Sequence, residues 1–504
     1  MATAASKTTK KTTKTTAKAT TAKKPAASKD KKLNVLFVSG EAAPFAQTGG
    51  LGEVAGSLPA AVNKYGEDVN VSVILPLYEC ITREFRKDFE FICNIYVPVA
   101  WRSQYAGLFK YKYKGVTYYF IDNEYYFKRP SLYGYYDDGE RFSCFNRAVL
   151  EFLPQLDNKP DILHCNDWHT GLVPVYYKLY YREKEGYDGI KTLFTIHNIE
   201  YQGKYSQSIL EDVFGIPFSL GQSLSYDSCV NLMYAAMEYS DRVSTVSPTY
   251  ANELEDAYYA CGLSEVVRNI KYKFSGIING IDTEVYNPAK NASLFANYSA
   301  KDMAKKAENK RGLQQMLNLP ESADIPLLIV VSRLAKHKGA DIMREAMKSV
   351  IKKDVQFVIL GTGDLEYENF FSNMQAEYPA KMRMVVAFNP DMAQKMFGAG
   401  DIFLMPSRSE PCGLGQMMAM RYGAVPVVRR CGGLKDTVTE GDNGNGFNFT
   451  EYNAAELEAA IDRALNAYGS KEKWTEIMAR DMNADYSWGA SGKKYIELYR
   501  EMMK

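Results

Sequence analysis

Short runs of consecutive apolar residues alternate along this chain with longer stretches whose apolar residues recur every three or four positions. The runs predict strands over 33–39, 68–75, 116–122, 161–165, 191–197 and 242–247. Several are apolar on consecutive residues rather than on every second one, as strands covered on both faces of a parallel sheet should be. A second series follows at 326–332, 355–360, 382–388, 401–405, 425–429 and 446–449. Between its members the periodicity predicts helices over 339–352, 391–399, 413–423 and 453–467. Two such series predict an α/β protein of two Rossmann-like, doubly wound domains. The irregular, Asn- and Pro-containing stretch 279–291 separates them. The expected division is a tail at 1–32, a first domain at 33–285 and a second at 286–487. The closing segment 488–504 has a helical pattern and is expected to return to the first domain.

Composition narrows the class. A chain of 504 residues, 46% hydrophobic and 24% charged, has the balance of a soluble globular protein and the length for about two to four domains. Its eight cysteines are scattered with no CxxC pair, which predicts reduced thiols in a cytosol-like compartment. No apolar run approaches the roughly 20 residues that span a bilayer, and the N-terminus lacks the apolar core of a secretory signal.

The net charge of +1 hides a segregation. Residues 1–32 carry ten lysines against one acid, so the tail is +9 and the remainder is −8. Without large apolar residues after Met1, the tail cannot offset its ordering entropy and is expected to be disordered. It reads as a solvated arm. An electrostatic arm for nucleic acid or acidic surfaces, or an organelle transit peptide such as a plastid one, are the alternatives.

Candidate chemistry sits at strand ends. The run Met405-Pro406-Ser407-Arg408-Ser409-Glu410-Pro411-Cys412-Gly413-Leu414-Gly415-Gln416 follows a buried strand and leads into a helix that Gly413 is expected to open. In an open α/β sheet that is where ligands bind, because unpaired N–H groups at a helix start point outward. By itself Glu410 reads more readily as a helix cap or first-turn charge than as a ligand-binding acid. The first strand runs into Gln47-Thr48-Gly49-Gly50-Leu51-Gly52, a glycine loop whose amides can approach a phosphate, although its spacing is neither a Walker A loop nor a dinucleotide fingerprint. Two further strand ends carry His164-Cys165-Asn166-Asp167-Trp168-His169 and Thr195-Ile196-His197-Asn198, so Asp167, His197 and Asn198 can converge on one ligand.

Three of the four histidines lie there, which raises a metal site as the rival reading. No HExxH and no Asp-x-Asp occurs, so no metal is expected. In the second series, Arg333 and Lys338 stand five residues apart at a strand end, as a guanidinium fork and a point charge suited to a diphosphate. Gly432 and Gly433 supply another tight turn at the same rim.

Taken in order, these segments resemble the glycogen and starch synthases of the bacterial and plant type, retaining glycosyltransferases of the GT-B fold. The similarity runs from about Leu33 to the C-terminus through TGGL (48–51), DWHTG (167–171), TIHNIEYQG (195–203), STVSPTYA (244–251), NGID (279–282), SRLAKHKG (332–339), MPSRSEPCGLGQ (405–416) and GGLKDTV (432–438). It implies two domains facing across a closing cleft. It also implies transfer of glucose from ADP-glucose to the non-reducing end of an α-1,4-glucan, with no cofactor or required metal. Nothing in the sequence calls for nucleic acid or a membrane as a partner.

Carried over position by position, the resemblance places glucose near Asp167, His197, Asn198 and Glu410, with the amides of Cys412, Gly413 and Leu414 close by. Arg333 and Lys338 then hold the diphosphate, and Thr48, Gly49, Gly50, Gly432 and Gly433 line the substrate. Two positions depart from the family pattern. Gln47 stands where a lysine is usual, and Tyr234 where a later lysine is usual. Gln47 can hydrogen-bond a phosphate but brings no charge, which leaves UDP-glucose open as donor. Two alternatives remain: a non-catalytic, synthase-like glucan-binding subunit, and another GT-B transferase acting on small acceptors.

Overall fold

The computed structural model describes residues 32–504. The disorder expected of the tail therefore concerns residues outside the described ones, Lys32 excepted.

The first half of the chain builds a nine-stranded sheet from β1 (Leu33–Val38), β2 (Val69–Pro76), β3 (Glu90–Val99), β4 (Arg102–Tyr113), β5 (Val116–Asp122), β6 (Ile162–Asn166) and β7 (Lys191–Ile196), completed further on by β11 (Arg242–Thr245) and β12 (Phe274–Gly276). Between these last two groups, β8 (Lys204–Tyr205), β9 (Ser225–Tyr226) and β10 (Cys229–Asn231) form a small antiparallel sheet. The large sheet is ordered β12-β11-β7-β6-β1-β2-β5-β4-β3. It is parallel from β12 to β5. The apolar runs account for that part: every residue of β6 is buried, because helices cover both faces.

The last two strands of this sheet differ from the expectation. β3 and β4 are long and antiparallel to each other, β4 is antiparallel to β5, and neither was foreshadowed by the apolar runs. β3 alternates between exposed and covered residues from Asn94 onward, and β4 carries Tyr105, Lys110, Tyr111, Lys112 and Tyr113, as an edge hairpin wetted on one side requires.

The second sheet contains β13 (Leu327–Val331), β14 (Gln356–Leu360), β15 (Met382–Val385), β16 (Ile402–Met405), β17 (Val425–Arg429) and β18 (Phe447–Phe449), all parallel, in the order β15-β14-β13-β16-β17-β18. β15 stops at Val385 rather than 388, and the helix after β16 starts at Gly415, not Gly413. Both sheets follow the doubly wound 3-2-1-4-5-6 order, so each reverses direction beside its first strand, between β1 and β6 and between β13 and β16. Side chains after those four strands meet at two crevices. They are the segments singled out above.

The chain passes between the sheets twice, and the two crossings are tied together. Ile281 N–H donates to Tyr486 O at 2.8 Å, and the Ser491 hydroxyl donates to Ile278 O at 2.7 Å. A side chain at Gly280 would collide with the Trp488 backbone nitrogen at 2.5 Å, so this contact needs glycine. The final helix, Trp488–Met502, lies along the helix Gly50–Tyr65. Its Tyr499 hydroxyl reaches His164 Nδ1 at 2.8 Å in the core, and Arg500 pairs with Asp68 at 2.6 Å on the surface.

Candidate active site

Glu410 is buried, 6% exposed, in the loop that leaves β16. Its Oε2 accepts the Lys338 ammonium at 2.7 Å and the Ser407 hydroxyl at 2.9 Å. Lys338 comes from the segment after β13, so the pair spans the switch point of the second sheet. Gly339 makes this approach possible: it has φ +84°, and a Cβ there would lie 2.2 Å from Pro406 O. Arg333, just past β13, is exposed, and among the described residues its guanidinium has no hydrogen bond or ion pair. One cation is therefore held by the acid and the other is uncommitted.

The loop beyond Glu410 turns at Gly413 (φ +73°). Gln416 folds back over it, its amide donating to Gly413 O at 2.9 Å and Cys412 O at 3.2 Å. Among the described residues, the N–H groups of Cys412, Gly413 and Leu414 donate to no protein acceptor. Gly432 and Gly433 sit behind this loop. A Cβ on Gly432 would lie 1.9 Å from Glu410 O, and one on Gly433 2.1 Å from Cys412 O. Their amides are already engaged, Gly432 by Glu253 and Gly433 by the carbonyls of Glu410 and Pro411. These two glycines support the loop from below.

Across from it, β6 ends in Asp167, whose backbone is forced to φ +55°, ψ 176°, a region that costs a non-glycine residue about 1–3 kcal/mol. The surroundings hold it there. Asp167 N–H donates to Thr195 O at 3.0 Å, and its Oδ1 accepts the His197 amide at 2.7 Å and the Asn198 amide at 3.4 Å. Burial pushes the Asp167 carboxyl up to about 7, against those two amides that pull it down. His197 Nε2 meets Asn166 Oδ1 at 2.9 Å. The Asn166 amide donates to Val38 O and His164 O, so its oxygen is an acceptor and His197 carries its proton on Nε2. Burial keeps that imidazole neutral, pushed down to about 3.

The other two histidines of these strand ends do not join the cluster. His164 is a core residue bridging Tyr499 and Thr195, and His169 packs against Trp168, Tyr133 and Phe142.

The glycine loop after β1 is shaped by Glu41, a residue not singled out above. Glu41, 2% exposed, accepts the Thr48 amide at 2.6 Å, the Thr48 hydroxyl at 2.9 Å, the Gly49 amide at 3.3 Å and the Tyr133 hydroxyl at 2.7 Å. Two of the amides expected to face a phosphate are thus committed to a carboxylate. A buried acid directly after a strand was the available signal. Gly49 and Gly50 have no positive φ, and a Cβ on either would meet nothing within 4 Å. The folded chain does not itself demand glycine there. Gln47 is exposed, donates to Gly49 O at 3.2 Å and lies against Gly52. Tyr234, the second departure, is half-buried against Tyr226 at 5.1 Å between ring centres.

The two halves meet at the Glu410 loop. Ser247, just past β11, donates its hydroxyl to Pro411 O at 2.6 Å, so the carboxyl edge carrying Asp167 and His197 faces the loop carrying Glu410.

Residues 34–269 match the starch synthase catalytic domain, and residues 314–480 match the glycosyl transferases group 1 model. The glycogen synthase of Geobacillus thermodenitrificans is 44% identical over 478 residues, covering 94% of this chain and 98% of that protein. The chain belongs to the glycogen and starch synthase family. The glycogen synthase of Anoxybacillus flavithermus is 45% identical over the same length. Among solved structures, the catalytic domain of starch synthase IV from Arabidopsis thaliana, bound to ADP and acarbose, superposes with a TM-score of 0.87 at 34% identity, covering 94% of this chain and 99% of that one. The sucrose-phosphate synthase of Thermosynechococcus elongatus, at 17% identity and TM-score 0.59, shares the fold alone. The enzyme is therefore a hexosyltransferase of the GT-B fold, a glycogen/starch synthase with a nucleotide-sugar donor and a glucan acceptor.

Proposed function

We propose that the enzyme transfers glucose from ADP-glucose to the non-reducing end of an α-1,4-glucan with retention of configuration. The observation that carries this reading is the Lys338–Glu410 pair beside the uncommitted Arg333, at the switch point of the second sheet. In this reading Arg333 and Lys338 bind the diphosphate and stabilise its departure, a task that fixed cations perform without a proton donor. Glu410, Asp167, His197 and Asn198 hold the sugar hydroxyls while positive charge grows on the ring. His197, with its proton on Nε2, offers Nδ1 as an acceptor. The departing phosphate oxygen takes the proton from the glucan hydroxyl on the same face. The free amides of Cys412–Leu414 and the open backbone at Gly49 and Gly50 lie where donor atoms are expected to approach.

On this division 33–285 forms the acceptor side, 286–487 the nucleotide side, and the last helix belongs with the first. The ADP and acarbose bound by the Arabidopsis relative support an adenine donor and a glucan-like acceptor. Eight free thiols, four of them buried, support a reducing, cytosol-like compartment. No described helix is long and apolar enough to cross a membrane.

The test is glucosyl transfer to glycogen with ADP-glucose and UDP-glucose side by side, chelator present, and Glu410→Ala as control. Transfer from ADP-glucose that disappears in the variant is the expected result. A preference for UDP-glucose would tie Gln47 to donor choice. Glycogen binding without transfer from either donor would leave a glucan-binding subunit.

A further inference from the structure

A single short helix of the first half, Pro248–Glu253, grips the second half beside Glu410 at three points. At its start, the Ser247 hydroxyl donates to Pro411 O at 2.6 Å. Two residues on, Thr249 donates its N–H at 2.9 Å and its hydroxyl at 2.6 Å to the carboxylate of Asp436. At its end, both oxygens of Glu253 lie 2.9 Å from the Gly432 nitrogen.

These contacts are not equivalent. Asp436 lies toward the far end of the helix Gly432–Thr437, whereas Gly432 is the residue on which the Glu410 loop rests. Gly432 is in the left-handed region (φ +43°), directly beneath the Glu410 carbonyl, and the next amide, Gly433 N–H, donates to that carbonyl at 3.2 Å. Any rotation of the 432–433 peptides moves the carbonyl of Glu410 with them. Glu253 is the only side chain of the first half that holds this amide among the described residues. Among the described residues the Gly432 N–H donates to Glu253 alone, and a buried donor orphaned by loss of that carboxylate favours rearrangement.

We infer that Glu253 is a positioning residue: by holding the Gly432 amide it makes docking of the first half against the second a condition for the working placement of Glu410. The inference rests on the synthase reading of Glu410. It needs no contact between Glu253 and substrate.

The experiment compares Glu253→Ala, Glu253→Gln and Thr249→Ala in the full chain. Thr249→Ala removes docking bonds of the same helix without touching Gly432. We expect Glu253→Ala to lower kcat by roughly 10- to 100-fold, with donor KM changed less than about 3-fold, as for a group needed only when the site is assembled. Glu253→Gln, which keeps one acceptor oxygen at similar reach, recovers part of the loss, and Thr249→Ala stays within about 3-fold of the parent. Hydrogen exchange of the peptide covering 410–416 is measured in parallel. It should quicken in Glu253→Ala and not in Thr249→Ala. Equal kcat and equal exchange in the two alanine variants would overturn the inference, as would a Glu253→Ala loss matched by faster exchange throughout the chain. If the parent transfers no glucose from either donor, the synthase reading fails, while the exchange comparison still decides whether Glu253 positions the loop.

Discussion

Lys338 Nζ lies 2.7 Å from Glu410 Oε2, a cation and an acid delivered by neighbouring strands onto the switch point of the second sheet. Each neutralises the other, so neither charge is buried alone. A diphosphate arriving beside Arg333 would share the ammonium and leave Glu410 anionic next to the sugar. On the proposed function, the same pair would serve stability before binding and chemistry after it.

Replacing Lys338 by Ala removes a charge-assisted bond worth about 1.5–3 kcal/mol and leaves Glu410 buried without its counter-ion. We expect kcat/KM for the nucleotide sugar to fall by roughly 10- to 150-fold or more, together with a lower melting temperature. Arg333→Ala, which breaks no internal bond, should cost a similar factor in kcat/KM with the melting temperature unchanged. Steady-state kinetics and thermal unfolding of the two variants separate these effects. Equal destabilisation by both would contradict the assignment of Arg333 as uncommitted.

Glycine at 49 and 50 is not required by the folded chain, since a Cβ there meets nothing and neither φ is positive. Gly49→Ala should consequently leave stability within about 0.5 kcal/mol of the parent. If a ligand approaches that backbone closely, donor KM will rise several-fold. Gly339→Ala is the contrasting case. Its Cβ would strike Pro406 O at 2.2 Å, so it should lower both activity and melting temperature. An unaltered KM in Gly49→Ala would remove the glycine loop from the donor site.

The Asp167 carboxyl is raised by burial from its ordinary value of 3.8 to about 7. The folded form holds the proton more tightly than the unfolded form, so the stabilisation linked to this group is complete below pH 4 and is lost as pH rises through 7. Asp167→Asn cannot ionise. Relative to this variant, the parent should lose stability between about pH 4 and 7, seen as a widening melting-temperature gap. The buried His197 has the opposite sign: pushed down to about 3, it weakens the fold as pH falls below 6.5 toward 3. A gap that stays constant with pH would show that Asp167 is charged throughout.

Tyr499, fully buried in the last helix, donates to or accepts from His164 Nδ1 at 2.8 Å. Tyr499→Phe leaves that ring nitrogen unpaired in the core of the nine-stranded sheet's layer. The expected cost is about 1–3 kcal/mol in chemical denaturation. Catalysis at the native temperature should be nearly unchanged, because His164 is not part of the site cluster.

Much of the architecture was legible as sequence. The consecutive apolar runs at β14 and β17 read as strands covered on both faces, and every residue of these two strands is buried. The glycines, acids and cations stood directly after such runs, so their place at carboxyl edges followed from the strands themselves. The hairpin β3–β4 escaped, because a half-wetted edge strand carries no such run.

What the linear order determined, then, was which residues would stand at the ends of which strands, since local pattern fixes strand position and strand position fixes the rim. Only the tertiary structure decided what those residues do to each other. Glu41 spends the amides of Thr48 and Gly49, Asp167 is held in a left-handed φ by strand β7, Gly432 lies beneath Glu410, and Glu253 reaches it from 179 residues away. The physical reason is that hydrogen bonds and steric limits act over a few ångströms in space. Partners that far apart along the chain leave no local pattern to read, and they exist only once the two sheets have folded and docked.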